Sequence, residues 1–170
     1  TDLLYLCHDA IRQHVSYDEA FGLIVDRYST LATGLSLDLD IVGFLDQLRS
    51  DLESGASVDY IASRGEFLNG KLLAALLGAT YIEPADLIRF GADDRLDPVT
   101  YELLGRALDG PGTFVIPGFY GATVNGDIRT FSRGGSDITG AIVARAAKAS
   151  IYENWTDVPG LLMADPRVVE

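Results

Sequence analysis

The chain is poor in the residues that bind soft metals or form disulfides. Its 170 residues include one cysteine, Cys7, and two histidines, His8 and His14. A single cysteine cannot form an internal disulfide, and these three side chains are too few for a closed zinc site. We therefore expect Cys7 to be an apolar residue on a helix face.

Positive charge is also scarce. The 13 lysines and arginines stand against 25 aspartates and glutamates, which gives a formal net charge of -12 and an isoelectric point near 4.4. A field of this sign repels nucleic acids and anionic membranes, although a local basic pocket could still bind an anionic substrate. No apolar run reaches the roughly 20 residues of a membrane span, and no signal-like segment is present. We expect a soluble cytoplasmic protein that binds neither nucleic acid nor membrane.

Length and composition fit one globular domain. The chain is 48% hydrophobic and 22% charged, so it can bury a core. Residues 2–52 carry apolar side chains at helical spacing, and Ser16 with Glu19 predicts a capping box at the start of the second helix. We assign residues 1–54 to a helical covering subregion and residues 55–170 to an α/β region that binds substrate and phosphate.

From residue 57 onward the pattern alternates between strands and helices. The predicted strands lie at residues 58–63, 80–83, 113–117 and 150–155. The predicted helices lie at residues 64–78, from 84 for about a turn, at 98–108 and at 136–149. This alternation predicts an open, mainly parallel sheet covered by helices on both faces. In such sheets ligands bind in the turns beyond the carboxyl ends of the strands.

The most informative turn is Phe-Ser-Arg-Gly-Gly-Ser-Asp at residues 131–137, which combines a cation, two glycines, a hydroxyl and a carboxylate. A hairpin with a two-residue primed turn at Asn125-Gly126 is predicted before it. A helix is predicted after it, with Ser136 or Asp137 as the N-cap. The N–H groups of such a helix start attract an anion. Taken alone, an ordinary glycine turn and a helix cap explain the stretch equally well.

Two further turns carry polar groups at predicted strand ends, Ser-Arg-Gly-Glu at 63–66 and Thr156-Asp157 within residues 155–160. Each by itself is explained by the helix dipole or by turn chemistry. Together, the three turns offer a carboxylate for an ammonium group, an arginine for a two-pronged bond to a carboxylate, and glycine-rich cradles for anions. This combination predicts a site for an amino acid and phosphates.

These motifs, in this order and spacing, resemble the catalytic domain of the aspartokinases, a family of the amino acid kinase superfamily. The matching stretches lie at residues 63–66, 118–119, 131–137 and 155–167. The resemblance covers roughly residues 55–170, and the helical residues 1–52 fit the helical insertion of the family more loosely. It implies a three-layer α/β/α sandwich with an open, mainly parallel sheet. It also implies phosphorylation of the β-carboxylate of L-aspartate by ATP, which opens lysine, threonine and methionine biosynthesis.

The resemblance implies roles for four residues that would bind the amino acid. Glu66 resembles the group that takes the substrate ammonium, and Arg133 resembles the group that holds the α-carboxylate. Phe119 resembles a wall of the aspartate pocket, and Ser136 resembles a polar contact to the substrate.

Three more residues resemble the phosphate side of the family's site. Asp137 resembles the carboxylate that organises the catalytic lysine, and Thr156 and Asp157 resemble nucleotide contacts. ATP and Mg²⁺ are implied as cofactors, with the metal between the phosphates and no metal ligand predicted among the protein side chains. The acceptor carboxylate is already ionised at pH 7, so the reaction needs positioning and charge neutralisation rather than a general base.

The chain also departs from the family pattern. The family's first strand ends in Lys-x-Gly-Gly-Ser or Thr, which has no counterpart here, since Lys71 and Lys148 are the only lysines and are expected at solvated helix positions. The chain starts without methionine and ends soon after Arg167. We therefore expect a piece of an aspartokinase, truncated at both ends and inactive alone. Its open sheet edges favour association into a homo-oligomer.

Two alternatives stay open. One is a kinase for another substrate, such as glutamate or a carbamate, against which the motifs at residues 63–66 and 133–137 speak. The other is an amino-acid-binding or regulatory module that keeps the pocket without phosphoryl transfer, and the missing lysine motif favours it.

Overall fold

Seven helices and five short strands lie within residues 1–131 and 134–155, the part of the chain that the computed structural model describes. The helices are α1 (Asp2–Arg12), α2 (Asp18–Gly34), α3 (Ile41–Glu53), α4 (Val58–Leu77), α5 (Pro84–Leu87), α6 (Val99–Ala107) and α7 (Gly135–Ala146). The strands are β1 (Thr80–Tyr81), β2 (Arg89–Phe90), β3 (Phe114–Val115), β4 (Tyr120–Thr123) and β5 (Ile128–Thr130). None of the described helices is long and apolar enough to cross a membrane.

Helices α1 to α4 enclose one apolar core. Its buried members include Leu4, Cys7, Phe21, Ile24, Tyr28, Ile41, Leu45, Leu48, Leu52, Ile61, Leu68 and Leu72. The burial of Cys7 confirms its prediction as an apolar helix residue. The predicted capping box is wrong, because the Ser16 hydroxyl donates to the Asp18 carboxylate at 2.9 Å. Tyr17 is the N-cap of α2, which removes Glu19 from the position that a capping box requires.

The largest correction concerns residues 58–63, which were predicted as a strand and form the first turns of α4. Ser57 caps this helix, since its Oγ accepts a hydrogen bond from the Tyr60 N–H at 3.2 Å. Ile61 and Leu68 are both buried in the helical core from one continuous helix. Burial of this face outweighs the modest β-propensity of the short run, as tertiary packing commonly does.

The strands form two small sheets. Strand β1 pairs in parallel with β3, and β2 pairs in parallel with β4, which pairs antiparallel with β5. Parallel strands combined with helices confirm the predicted α/β class, but the described residues contain no single wide sheet. The strand predicted at 150–155 is also wrong for these residues, which are irregular. The side chains of Ile151 and Trp155 in this segment are exposed.

Strands β4 and β5 form the predicted hairpin with a different turn. The Gly126 N–H donates to the Thr123 carbonyl at 3.0 Å, and the Thr123 N–H donates to the Asp127 carbonyl at 2.9 Å. Among residues 124–127, which connect the two strands, only Gly126 has a positive φ, of 88°. A primed turn of type I′ requires two such residues, so the predicted two-residue primed turn is wrong.

A second, smaller core positions α7. Its buried members are Ile88, Phe90, Leu104 and Ile142. The N–H of Arg89 in β2 donates to the buried hydroxyl of Thr100 at 2.9 Å, which joins β2 to α6. Helix α6 in turn packs against α7. Ile142 places the middle of α7 in this core.

Tyr60 on α4 provides a test of how α3 and α4 pack. Its hydroxyl donates to the Asp51 carboxylate, and burial, together with this hydrogen bond, raises the pKa of Tyr60 from 10.0 to about 12. The folded state therefore holds the phenol proton more tightly than the unfolded state does. The resulting stability is complete below pH 10 and is lost as the pH rises towards about 12.

We expect Tyr60→Phe to lower the free energy of unfolding by about 1 kcal/mol at neutral pH, through loss of this hydrogen bond. The variant should also lose less stability than the parent chain between about pH 10 and about 12. Urea unfolding followed by circular dichroism at several pH values measures both effects. Tyr5→Phe, at an exposed position, is the control, and equal alkaline slopes in the parent chain and Tyr60→Phe would contradict the assignment.

Candidate functional site

A cleft of about 640 Å³ lies between α4, the connection from β3 to β4, and α7. It brings together Glu66, Gly118 and Ser136, three residues from three of the sequence motifs. The rest of its wall is mainly apolar or small, and it includes Phe114, Ile116, Thr139, Gly140 and Val143. The cleft thus combines a carboxylate, a hydroxyl and a helix start in one apolar setting.

Glu66 lies within α4 and not at a strand end, so the turn predicted at 63–66 is wrong. The helix nevertheless places the half-buried Glu66 in the cleft wall. Ser63 and Arg64 are buried elsewhere, and the Arg64 guanidinium stacks 4.3 Å from the ring centroid of Tyr60. No lysine or arginine of the described residues lies within 4.0 Å of the Glu66 carboxylate. Within the described residues, this carboxylate thus has no ion-pair partner.

Phe119 has a left-handed backbone, with φ of 66°, a conformation that bulky side chains rarely adopt. Its N–H donates to the Thr139 Oγ1 at 3.0 Å, and its carbonyl accepts a hydrogen bond from the Phe131 N–H at 2.8 Å. Phe119 was predicted as a pocket wall. It lies next to the cleft, and its neighbour Gly118 is the residue of this turn that lines it.

The start of α7 differs from the predicted cap. Gly134, with φ of 57°, is the N-cap, so the prediction of Ser136 or Asp137 as N-cap is wrong. With Gly134 as the N-cap, α7 begins earlier than predicted, at Gly135, and Ser136 and Asp137 lie in its first turn. No described side chain caps the helix, which leaves N–H groups at the positive end of the helix dipole. Ser136 lines the cleft, whereas the exposed Asp137 accepts a hydrogen bond from Asn154 Nδ2 at 3.2 Å.

The glycines of these motifs allow the turn and the helix to touch. A Cβ at Gly135 would lie 2.6 Å from the Cβ of Phe119 and 3.0 Å from the Cβ of Phe131. A Cβ at Gly118 would lie 3.0 Å from the Cα of Ser136. Real Cβ atoms do not tolerate the shorter of these distances, so glycine at 135 has a packing role at the site.

Three predicted site residues, Arg133, Thr156 and Asp157, lie outside the described residues. Asp137 is described, but it is not among the residues that line the cleft with Glu66. Within residues 1–131 and 134–155, no group of three histidine, cysteine, aspartate or glutamate side chains is arranged to hold a metal ion.

The two lysines differ in environment. Lys148 follows the end of α7 and is exposed, as predicted. The prediction of a solvated Lys71 is wrong, because its Nζ lies 3.6 Å from the ring centroid of Tyr81, 5.4 Å from that of Phe44 and 5.3 Å from that of Phe67. Burial lowers the pKa of Lys71. Lysine stems readily bury against aromatic surfaces, which helical spacing alone does not reveal.

Sequence reasoning missed Thr139, which is 3% exposed and lines the cleft. Its hydroxyl donates to the Gly135 carbonyl at 2.7 Å and accepts the Phe119 N–H. A signal was available, since Thr139 is a polar residue in the apolar stripe that continues through Ile142 and Val143. A buried threonine in such a stripe needs a hydrogen-bond partner.

The sequence profile of the Amino acid kinase family matches residues 16–170. The chain is 35% identical to aspartokinase 3 of Bacillus subtilis over 185 aligned positions, which cover 100% of this chain and 41% of that protein. It is 32% identical to an aspartokinase of Rickettsia prowazekii over 67% of this chain and 28% of that protein.

Solved structures show the same relationship. The aspartate kinase of Clostridium acetobutylicum superimposes with a TM-score of 0.89 at 47% identity, over 99% of this chain and 39% of that one. Escherichia coli aspartokinase III, in complex with aspartate and ADP, gives a TM-score of 0.76 at 26% identity, over 99% of this chain and 42% of that one. The chain thus spans about two fifths of the length of Bacillus subtilis aspartokinase 3 and of these two solved kinases.

The contact between Gly135 and Phe119 can be tested by adding one methyl group. We expect Gly135→Ala to lower the free energy of unfolding by roughly 1–3 kcal/mol, because the new Cβ overpacks the turn. Gly22→Ala in α2 is the matched control, since a Cβ there meets nothing within 4 Å. The control should be more stable than the parent chain by up to about 1 kcal/mol. Chemical unfolding measures both, and unchanged stability of Gly135→Ala would contradict the packing.

Proposed function

This chain belongs to the amino acid kinase family, and we propose that it is the substrate-binding part of an aspartate kinase. The reaction is transfer of the γ-phosphoryl group of ATP to the β-carboxylate of L-aspartate, which gives 4-phospho-L-aspartate for lysine, threonine and methionine biosynthesis in the cytoplasm. The observation that carries the proposal is the cleft in which Glu66, Gly118 and Ser136 meet beside the start of α7.

The charged residues of the proposed site match the charges of an amino acid. Glu66 would bind the substrate ammonium, since its carboxylate has no ion-pair partner among the described cations. Arg133 would hold the α-carboxylate through a bidentate, charge-assisted hydrogen bond. Ser136 would add a polar contact, and Phe119 would support the wall from its strained turn. Together, the anion of Glu66 and the cation of Arg133 would fix which carboxylate faces the phosphate.

The phosphate side of the proposed site is the start of α7. Its N–H groups and dipole favour an anion, and no described side chain occupies the cap. Thr156 and Asp157 would contact the nucleotide, and Asp137 would organise a lysine near the phosphates. Similarity to an aspartokinase solved with aspartate and ADP supports the use of ATP.

Mg²⁺ fits the donor groups that are present. This ion keeps several water ligands and is usually bound through one or two carboxylates together with substrate phosphates. The described residues offer no three-residue metal cluster, but they place the exposed Asp137 carboxylate in the first turn of α7. Bound Mg²⁺ would neutralise phosphate charge, while the residues of the chain orient the already ionised aspartate carboxylate.

Self-association is a further part of the proposal. Four partly exposed leucines, Leu31, Leu35, Leu73 and Leu76, line an apolar cleft of about 420 Å³ that adjoins Glu66. Exposed apolar patches of this kind favour burial against another protein surface. A homo-oligomer would be seen as a mass above that of one chain in sedimentation equilibrium.

A non-catalytic amino-acid-binding module is the second candidate. The observation that favours it is that neither lysine lines the described cleft, because Lys71 lies among aromatic rings and Lys148 is exposed beyond α7. Such a module would bind L-aspartate without forming ADP.

The complete encoded protein tests these candidates when it is incubated with ATP, Mg²⁺ and either L-aspartate or L-glutamate. We expect ADP release and an acyl phosphate, trapped by hydroxylamine, with L-aspartate alone. Binding of L-aspartate without ADP release would favour the binding module. Preference for L-glutamate would contradict the proposed substrate.

Glu66→Gln tests the ammonium contact. The loss of a charge-assisted hydrogen bond, typically worth ~1.5–3 kcal/mol, should weaken L-aspartate binding by about tenfold or more in calorimetry. Glu102→Gln makes the same chemical change on α6, where Glu102 pairs with Arg106 at the surface, and should leave the affinity unchanged. If both variants bind L-aspartate like the parent protein, Glu66 does not contact the ligand.

A further inference from the structure

We propose that Thr139 is a positioning residue for the cleft. Its hydroxyl holds the turn at Gly118 and Phe119 against α7, so that Gly118 and Ser136 form one continuous wall. The inference rests on the proposed function for the identity of the ligand, L-aspartate. The mechanical role of Thr139 rests on the geometry of the described residues alone.

The hydrogen-bonding capacity of the Thr139 hydroxyl is divided between two elements. A hydroxyl has one donor hydrogen and two acceptor lone pairs. The hydrogen goes to the Gly135 carbonyl at 2.7 Å, one helical turn earlier, as is common for threonine within helices. An acceptor site is left for the Phe119 N–H, which lies 3.0 Å away. One buried side chain therefore joins the first turn of α7 to a turn of the β region.

The turn needs such support because its backbone is strained. Phe119 has φ of 66°, and a bulky residue keeps this conformation only where the surrounding structure enforces it. Its carbonyl is fixed by the Phe131 N–H at 2.8 Å, and its N–H is fixed by Thr139. Removal of the hydroxyl would leave the Phe119 N–H without its acceptor. The turn could then relax to a conformation in which Phe119 has a negative φ.

Relaxation of this turn would change the cleft directly. Gly118 precedes Phe119 and packs closely against Ser136, since a Cβ added to Gly118 would lie 3.0 Å from the Ser136 Cα. A shift of the turn must therefore move Gly118 relative to Ser136, and both line the cleft. Glu66 belongs to α4 and keeps its place, so the shift would alter the shape of the site but not the charge of Glu66.

Two substitutions separate the hydroxyl from the volume of the side chain. Thr139→Val keeps a β-branched side chain of similar shape but removes the hydroxyl, whereas Thr139→Ser keeps the hydroxyl. In the complete encoded protein, we expect L-aspartate binding by calorimetry to be about five- to thirtyfold weaker in Thr139→Val. Thr139→Ser should retain most of the affinity.

Thr100→Val is the matched control. Thr100, like Thr139, is a buried threonine, and its hydroxyl accepts the Arg89 N–H at 2.9 Å, but neither Thr100 nor Arg89 lines the cleft. The control should lose stability by an amount similar to that in Thr139→Val and keep the L-aspartate affinity of the parent protein. Comparison of the two variants separates positioning of the cleft from general loss of stability.

Hydrogen–deuterium exchange provides a readout that does not depend on the ligand. Peptides that contain Phe119 should exchange faster in Thr139→Val than in the parent protein, and at the parent rate in Thr100→Val. If L-aspartate binds the parent protein and all variants equally, or if exchange at Phe119 is unchanged in Thr139→Val, the inference is overturned. If the parent protein does not bind L-aspartate but exchange accelerates as expected, the proposed substrate fails and the role of Thr139 stands.

Discussion

The candidate site depends on the close contact between the turn at Gly118 and Phe119 and the first turn of α7. Glycine at 135 permits this contact, since a Cβ there would lie 2.6 Å from the Phe119 Cβ, and the Thr139 hydroxyl bridges the two elements. The contact holds Phe119 in a left-handed conformation that it would not keep alone. It thereby places Ser136 and the start of α7, which no described side chain caps, on the same side as Gly118.

Helix α4 supplies the other half of the site because it packs in the helical core and also lines the cleft. Ile61, Leu68 and Leu72 bury one side of it in the helical core. Glu66 lies on the same helix and lines the cleft, and no described lysine or arginine lies within 4.0 Å of its carboxylate. The helical core therefore fixes the position of Glu66 in the cleft wall, which is more than the covering role that its apolar stripes suggest.

Periodicity and turn chemistry identified α1 to α3 and the hairpin, and the family resemblance grouped Glu66 with Ser136, which line the same cleft. They did not identify how residues 58–63 fold, since a short β-branched run is decided by packing in the tertiary structure. The N-cap at Gly134 and the aromatic surroundings of Lys71 were missed for a related reason. Both depend on residues that are distant in sequence and meet only when the turn, the strands and the helices pack.

The most direct measurement of the central claim is a calorimetric titration of this 170-residue chain with L-aspartate, with D-aspartate and L-glutamate in parallel. Binding of an amino acid requires only the cleft and its charged groups, so it does not depend on phosphoryl transfer. The account predicts saturable heat with L-aspartate and much weaker binding of the other two. Equal binding of all three, or preference for L-glutamate, would contradict a cleft shaped for L-aspartate.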